Sequence, residues 1–180
     1  MELEFSLSKS DFTTYHLFLL SQTEGFQKKR KNNWILTPVF CVIIGILLLL
    51  YKGSIFLMIF LAFGIFWVIF YPLYSRWYYK LYFFRLIGKQ YKSRIGLTGR
   101  VEIKNREIYL SDKTGETNIN LREINNIIVI KTHVFITFNS GMTVILPKDK
   151  IDSFHLESFI QELEKLTNII RTDMHEWEWK

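Results

Sequence analysis

The longest apolar pattern in this chain runs from residue 34 to residue 74 and contains a single charge, Lys52. The run divides at Lys52-Gly53-Ser54 into apolar stretches covering residues 34–51 and 55–74. At about 1.5 Å rise per residue, each stretch would form a helix about 27–30 Å long, which matches a hydrocarbon core. The pattern therefore predicts two transmembrane helices joined by a tight turn, and it disfavours a hairpin buried in a globular core.

A second pattern, alternation of apolar and polar positions, occurs at the start of the chain. Leu3, Phe5 and Leu7 fall on one face of residues 2–8, which predicts a half-buried strand. A helix is expected to follow, with Ser10 or Asp11 as its cap. A lone strand is unstable in water, so we expect the strand to join a sheet formed farther along the chain.

Short alternating segments dominate the chain from residue 99 onward. About six strands are expected, separated by turns at residues 105–106, 112–115 and 139–141. Pro147 is expected to end the sheet, and Asp152 is expected to cap an amphipathic helix whose apolar positions recur at helical spacing. The predicted fold class is an α+β membrane protein: a transmembrane hairpin plus a small antiparallel β-barrel or sandwich closed by a C-terminal helix.

These patterns predict six successive segments. They are an N-terminal strand and helix (1–33), transmembrane helix 1 (34–51), transmembrane helix 2 (55–75), a basic aromatic juxtamembrane helix (76–95), a β domain with its C-terminal helix (96–167) and a tail (168–180). No basic, apolar signal peptide is expected at the N-terminus, because it opens with the acidic Met1-Glu2-Leu3-Glu4.

Charge indicates how the hairpin is oriented. The formal net charge of +6 is concentrated beside the apolar run, and residues 76–95 hold six bases and no acid. Because bases near transmembrane ends are retained in the cytoplasm, both termini are expected in the cytosol of a multi-pass cell-membrane protein. The bases expected at the anionic lipid surface are Lys28, Lys29, Arg30, Lys31, Arg76, Lys80 and Arg85. The remaining soluble segment is slightly acidic, so nucleic acid is not an expected partner.

Residues that could carry chemistry are few and scattered. The single cysteine, Cys41, lies within the first apolar stretch and cannot form an intrachain disulfide. His133, expected in a turn, and His155, expected on the last helix, are interpreted as surface or satisfied histidines. No nucleophile motif, metal-ligand spacing or phosphate-binding glycine loop is present. The sequence therefore predicts a protein that is not an enzyme, with no catalytic residue, metal site or cofactor.

The overall arrangement resembles the YcxB-like family of bacterial membrane proteins. The resemblance rests on the N-terminal strand and helix ending in bases, the tight hairpin, the aromatic-basic helix, and Leu146-Pro147-Lys148 before the final amphipathic helix. It implies a C-terminal domain similar to bacterial pleckstrin-homology domains. Such modules often bind phosphoinositides through basic loops, whereas the loop residues Lys104, Arg106 and Lys113 stand beside acids here.

Two functions follow from these predictions. The favoured one is a membrane-anchored interaction module that uses its cytosolic β domain to bind a protein or a lipid surface. The alternative is an immunity protein that protects its own cell from a toxin or bacteriocin, since such proteins are often short, multi-span and free of catalytic motifs. The two lipid-spanning helices make the bilayer the first expected partner in either case.

Overall fold

A computed structural model describes residues 2–113 and 115–179. The chain divides into two compact units. The β unit contains residues 2–15 and 84–178, and the helical unit contains residues 16–83 together with Trp179. The elements in chain order are β1 (Glu2–Ser6), α1 (Lys9–Gln22), α2 (Glu24–Lys52), α3 (Ser54–Gln90), β2 (Thr98–Lys104), β3 (Glu107–Asp112), β4 (Gly115–Asn120), a short 3-10 turn (Leu121–Glu123), β5 (Ile124–Ile130), β6 (His133–Phe138), β7 (Thr143–Pro147), α4 (Ser153–Thr167) and β8 (Thr172–Met174).

The β unit contains two four-stranded sheets with orders β1-β2-β3-β4 and β7-β6-β5-β8. Neighbouring strands are antiparallel except for β8, which runs parallel to β5. The inward faces of both sheets and the apolar stripe of α4 share one core. Its fully buried members include Val101, Ile108, Ile136 and Phe159. The α+β class, the six strands between residues 98 and 147, and the helix capped by Asp152 are confirmed.

The first strand of the chain pairs with the first strand after the long helices. In the register of β1 and β2, Leu3 lies opposite Val101 and Phe5 lies opposite Gly99. Leu3 and Phe5 are buried, whereas the alternate positions Glu2 and Glu4 are exposed and form ion pairs with Arg100. The prediction that the N-terminal strand completes the C-terminal sheet is therefore confirmed.

Three details of the β unit differ from the expectations. Helix α1 begins at Lys9, so Asp11 lies in its first turn and neither Ser10 nor Asp11 is the residue before it. The segment expected to be a tail contains β8, which escapes prediction because a three-residue strand is too short to show alternation. His133 was expected in a turn on the surface, but it begins β6 and is buried.

The helical unit is built on two helices longer than the predicted spans. Helix α2 begins ten residues before Trp34 and includes the first basic cluster, and α3 continues through Pro72 to Gln90. The predicted second span and juxtamembrane helix are thus one helix of 37 residues, about 55 Å long. Most of the large apolar side chains of α2 and α3 are exposed, for example Leu50 at 74% and Met58 at 67%. Both helices are long and apolar enough to cross a membrane.

Two glycines allow α2 and α3 to approach each other. A Cβ atom on Gly45 would lie 3.1 Å from Leu57 Cδ1 and 3.3 Å from Phe60 Cβ, so the neighbours leave little room for one. Gly64 faces Pro38 and Cys41 at 3.6 and 3.8 Å. Close backbone approach through small residues is typical of helix pairs that pack without a hydrophobic driving force between them.

We predict that Leu3→Ala destabilises the β unit. The substitution removes a nearly fully buried side chain from the sheet interface and leaves a cavity, which costs about 2–4 kcal/mol. Thermal unfolding and protease resistance of the full chain would measure the loss. Leu166→Ala is the matched control, because Leu166 is 45% exposed on α4. Equal stability of the two variants would contradict the role given to β1.

Candidate functional site

The basic residues expected at a membrane surface lie on the two long helices. Lys28, Lys29, Arg30 and Lys31 occupy the first third of α2, and Arg76, Lys80 and Arg85 follow the apolar part of α3. All are exposed except Arg30, which is partly buried. Their placement is compatible with a lipid surface, but the geometry does not gather them into one pocket. Their lipid preference stays a prediction.

Arg30 and Arg76 contribute to a contact that the sequence did not predict. Trp179 is 8% exposed, and its indole Nε1–H donates to the backbone carbonyl of Arg76 at 3.0 Å. The guanidinium carbon of Arg30 lies 5.5 Å from the indole ring centroid, within cation–π range. Phe26 and Tyr79 complete the aromatic surroundings of the ring. No sequence pattern indicates this contact, because Trp179 lies beyond every periodic element.

The most highly organised polar cluster in the β unit surrounds Asp11. Asp11 is only 5% exposed, and its carboxylate accepts three hydrogen bonds. Oδ2 accepts from the Ser8 backbone N–H at 2.7 Å and from Lys150 Nζ at 2.6 Å, and Oδ1 accepts from His133 Nε2 at 3.3 Å. Lys150 Nζ also donates to the Ser6 carbonyl at 3.0 Å. One carboxylate therefore joins the end of β1, the start of α1, the start of β6 and the loop after β7.

The partners of His133 define its tautomer. A carboxylate can only accept, so Nε2 carries the proton that faces Asp11, and in the neutral ring Nδ1 accepts from the Thr132 hydroxyl at 2.8 Å. Burial lowers the pKa of His133, and the opposing effect of Asp11 does not fully compensate. The imidazole is therefore held neutral.

The protonation of Asp11 is controlled by its partners. Burial raises the pKa of Asp11, but the hydrogen bonds from Lys150, Ser8 and His133 together outweigh it, so the net shift is downward. The cluster is therefore an ion pair between Asp11 and Lys150, flanked by a neutral histidine. The three hydrogen bonds to Asp11 all come from groups of the β unit, so the cluster holds neighbouring elements of that unit together.

The remaining histidines do not form a site. His155 bonds the Asp152 carboxylate at the start of α4, His175 lies 3.5 Å from Asp173, and His16 stacks on Phe83. Within residues 2–113 and 115–179, no three side chains of histidine, cysteine, aspartate or glutamate are grouped so that they could hold a metal ion.

We predict that Asp11→Asn destabilises the β unit by about 2–3 kcal/mol. The variant leaves Lys150 without its carboxylate, and the cost is below that of a fully buried broken pair because Lys150 is 26% exposed. Asp149→Asn is the matched control, since Asp149 is exposed in the adjacent turn. Chemical denaturation of the reconstituted chain would compare them, and a loss in Asp149→Asn as large as in Asp11→Asn would contradict the assignment.

A second prediction concerns pH. The folded pKa of His133 lies below its unfolded value of about 6.5, so the unfolded chain binds more protons once the pH falls through that value. The free energy of unfolding should then decrease by at most about 1.4 kcal/mol per pH unit for this one group. Asp11 adds a separate loss below about pH 4, because its folded pKa is lowered. Asp149 and Lys150 also act on the ring.

The variant His133→Gln isolates this contribution. The free energy of unfolding, measured between pH 7 and 5, should depend less on pH in the variant than in the unaltered chain. A residual slope is expected from His16, whose pKa is also lowered by burial. An unchanged slope in His133→Gln would show that the buried imidazole does not control acid sensitivity.

Comparisons of the chain with protein-family models, with curated proteins and with solved structures gave no match in any of the three. The similarity to YcxB-like proteins accordingly rests on the sequence features alone, and the pleckstrin-like description of the β unit stays a prediction.

Proposed function

We propose that this chain is a non-enzymatic membrane-anchored protein that presents its β unit in the cytosol as a pleckstrin-like interaction module, as the resemblance to YcxB-like proteins implies. The observation that carries the proposal is the pairing of β1 with β2. The chain leaves the β unit within α1 and returns to it near the end of α3, so a membrane crossed by both α2 and α3 has both connections on one side.

The exposed surfaces of α2 and α3 support membrane insertion. In the most apolar 18-residue window of each helix, only 11% and 6% of the residues are buried inside the protein. The core helix of a soluble protein would bury most of such a surface, since exposed apolar area costs about 25 cal/mol per Å² in water. A bilayer covers this surface without further protein, and the basic flanks favour cytosolic ends.

The β unit offers surfaces suited to a partner protein. Strand β4 pairs only with β3 among the described strands, and every residue in it except Ile119 is exposed. An edge of this kind presents backbone N–H and C=O groups to which an extended peptide can add. We therefore expect protein binding at the β unit, with the bilayer as the second partner.

Cysteine labelling tests the proposed topology. In a Cys41→Ala background, Ser54→Cys marks the turn between the helices, and Ser93→Cys marks the exposed segment after α3 as a matched control. A membrane-impermeant maleimide applied to intact cells should label the first variant, and it should label the second only after lysis. Labelling of Ser93→Cys in intact cells, or release of the protein by carbonate washing, would refute the proposal.

Charge reversal extends this test. Replacing the four bases of residues 28–31 with glutamate removes the signal that holds the first end in the cytosol. Maleimide labelling of Ser54→Cys in intact cells should then fall and become heterogeneous. Binding of the protein to anionic vesicles should weaken. Unchanged accessibility and unchanged vesicle binding would show that this cluster has neither role.

A further inference from the structure

A cavity of about 380 Å³ lies between the two sheets of the β unit. It is found where β1 ends, β2 begins and the β3–β4 hairpin turns, with the start of β7 on the opposite side. The volume falls within the range of small-molecule binding sites. Elsewhere between the sheets, Val101 and Ile136 are fully buried.

Glycines on the inward face of the first sheet account for the cavity. The row of Leu3, Val101 and Leu110 is apolar, but in the next row Phe5 lies opposite Gly99, and Asp112 lies opposite Gly115. A Cβ atom on Gly99 would make only ordinary contacts, at 3.6 Å or more, with Phe5. Because Gly99 lines the cavity, a larger side chain there would reduce the cavity volume and press on the Phe5 ring.

The lining of the cavity is mixed: apolar side chains share it with polar residues, with the acids Asp112 and Glu116 at the β3–β4 hairpin, and with Arg94. Leu7, Leu97 and Leu110 are only partly buried, and Met142 is 39% exposed. Arg94 is an exposed lining residue and forms no ion pair among the residues that the structure describes. Arg100, by contrast, is already bound by Glu2 and Glu4.

We propose that this cavity binds the hydrocarbon chain of an anionic amphiphile, with the anionic head beside Arg94. A flexible alkyl chain covers the partly buried leucines, and a guanidinium stabilises a carboxylate or phosphate. The bound hydrocarbon chain can belong to a free fatty acid or to a phospholipid. This inference goes beyond the proposed function, because a free fatty acid could bind whether or not α2 and α3 cross a bilayer.

Photo-crosslinking of the full chain in phosphatidylcholine nanodiscs tests the proposal. One arm uses palmitic acid with a diazirine at the chain end, and the other uses phosphatidylglycerol carrying the same chain. Peptide mass spectrometry locates the label, which should appear on Leu110, Met142 or their neighbours in the cavity. Label in the first arm alone identifies a free fatty acid, and label in the second identifies a bilayer lipid.

Two pairs of variants make the result specific. Gly99→Leu fills the cavity and should reduce labelling there about tenfold, whereas Gly25→Leu, at a position with no atom within 4 Å of the added Cβ, should leave it unchanged. Arg94→Gln should reduce labelling by palmitic acid about threefold but not labelling by the matching uncharged alcohol. Lys92→Gln is its control, an exposed base outside the cavity.

The proposal fails if label is absent from the cavity in both arms. It also fails if a folded Gly99→Leu protein is labelled as strongly as the unaltered chain. A third contradicting outcome is a Gly99→Leu protein more stable than the unaltered chain, together with no labelling of the cavity by either probe. Should Gly99→Leu not fold, the Arg94→Gln comparison decides. Co-flotation of the protein with liposomes is measured separately, so failure of membrane anchoring would be recognised independently.

Discussion

The pairing of β1 with β2 is the constraint on which the rest of the molecule depends. It places residues from the two ends of the long helical segment side by side in one sheet. Closing so long a segment carries an entropy cost, although that cost grows only slowly with length. The compensation comes from burying Leu3 and Phe5 and from completing the edge that β2 would otherwise expose. Helices α1, α2 and α3 are therefore an insertion within a sheet and not an addition to one end of it.

The Asp11 cluster strengthens the same junction with directional bonds. Apolar burial alone would tolerate a shift of β1 along β2, whereas Asp11 must meet Ser8, Lys150 and His133 simultaneously. Burying a charged pair is costly, and such pairs contribute more to a unique geometry than to net stability in several known systems. We interpret the cluster as the element that fixes where α1 begins relative to β6 and β7.

Sequence patterns predicted the elements whose signals are local. The apolar run, the strand alternation, the turn at residues 139–141 and the Asp152 cap each depend on neighbours within a few positions, and each is present in the structure. The Asp11 cluster could not be predicted, because Asp11 is separated from His133 and from Lys150 by more than a hundred positions and none of the three departs from ordinary composition. Trp179 is a single residue and β8 has only three, so neither can show the repeating pattern from which an element is predicted.

The cavity is less predictable from the sequence than the local elements but more so than the Asp11 cluster. Its cause is visible in the sequence as Gly99 and Gly115, which interrupt apolar alternation at strand ends. Glycine at such a position is equally typical of a turn, so the pattern alone does not indicate an open space. Only the register, which places Phe5 opposite Gly99 and Asp112 opposite Gly115, brings the two glycines to the same end of the inward face.

The interrupted sheet also has a consequence for biosynthesis. Strand β1 leaves the ribosome well before its partner β2, which is made only after all of α1, α2 and α3. At about 5–20 residues per second, the apolar face of β1 waits roughly 5–20 s before it can be covered. Any slowing of translation through the long helices lengthens the period in which the strand can pair with a wrong partner.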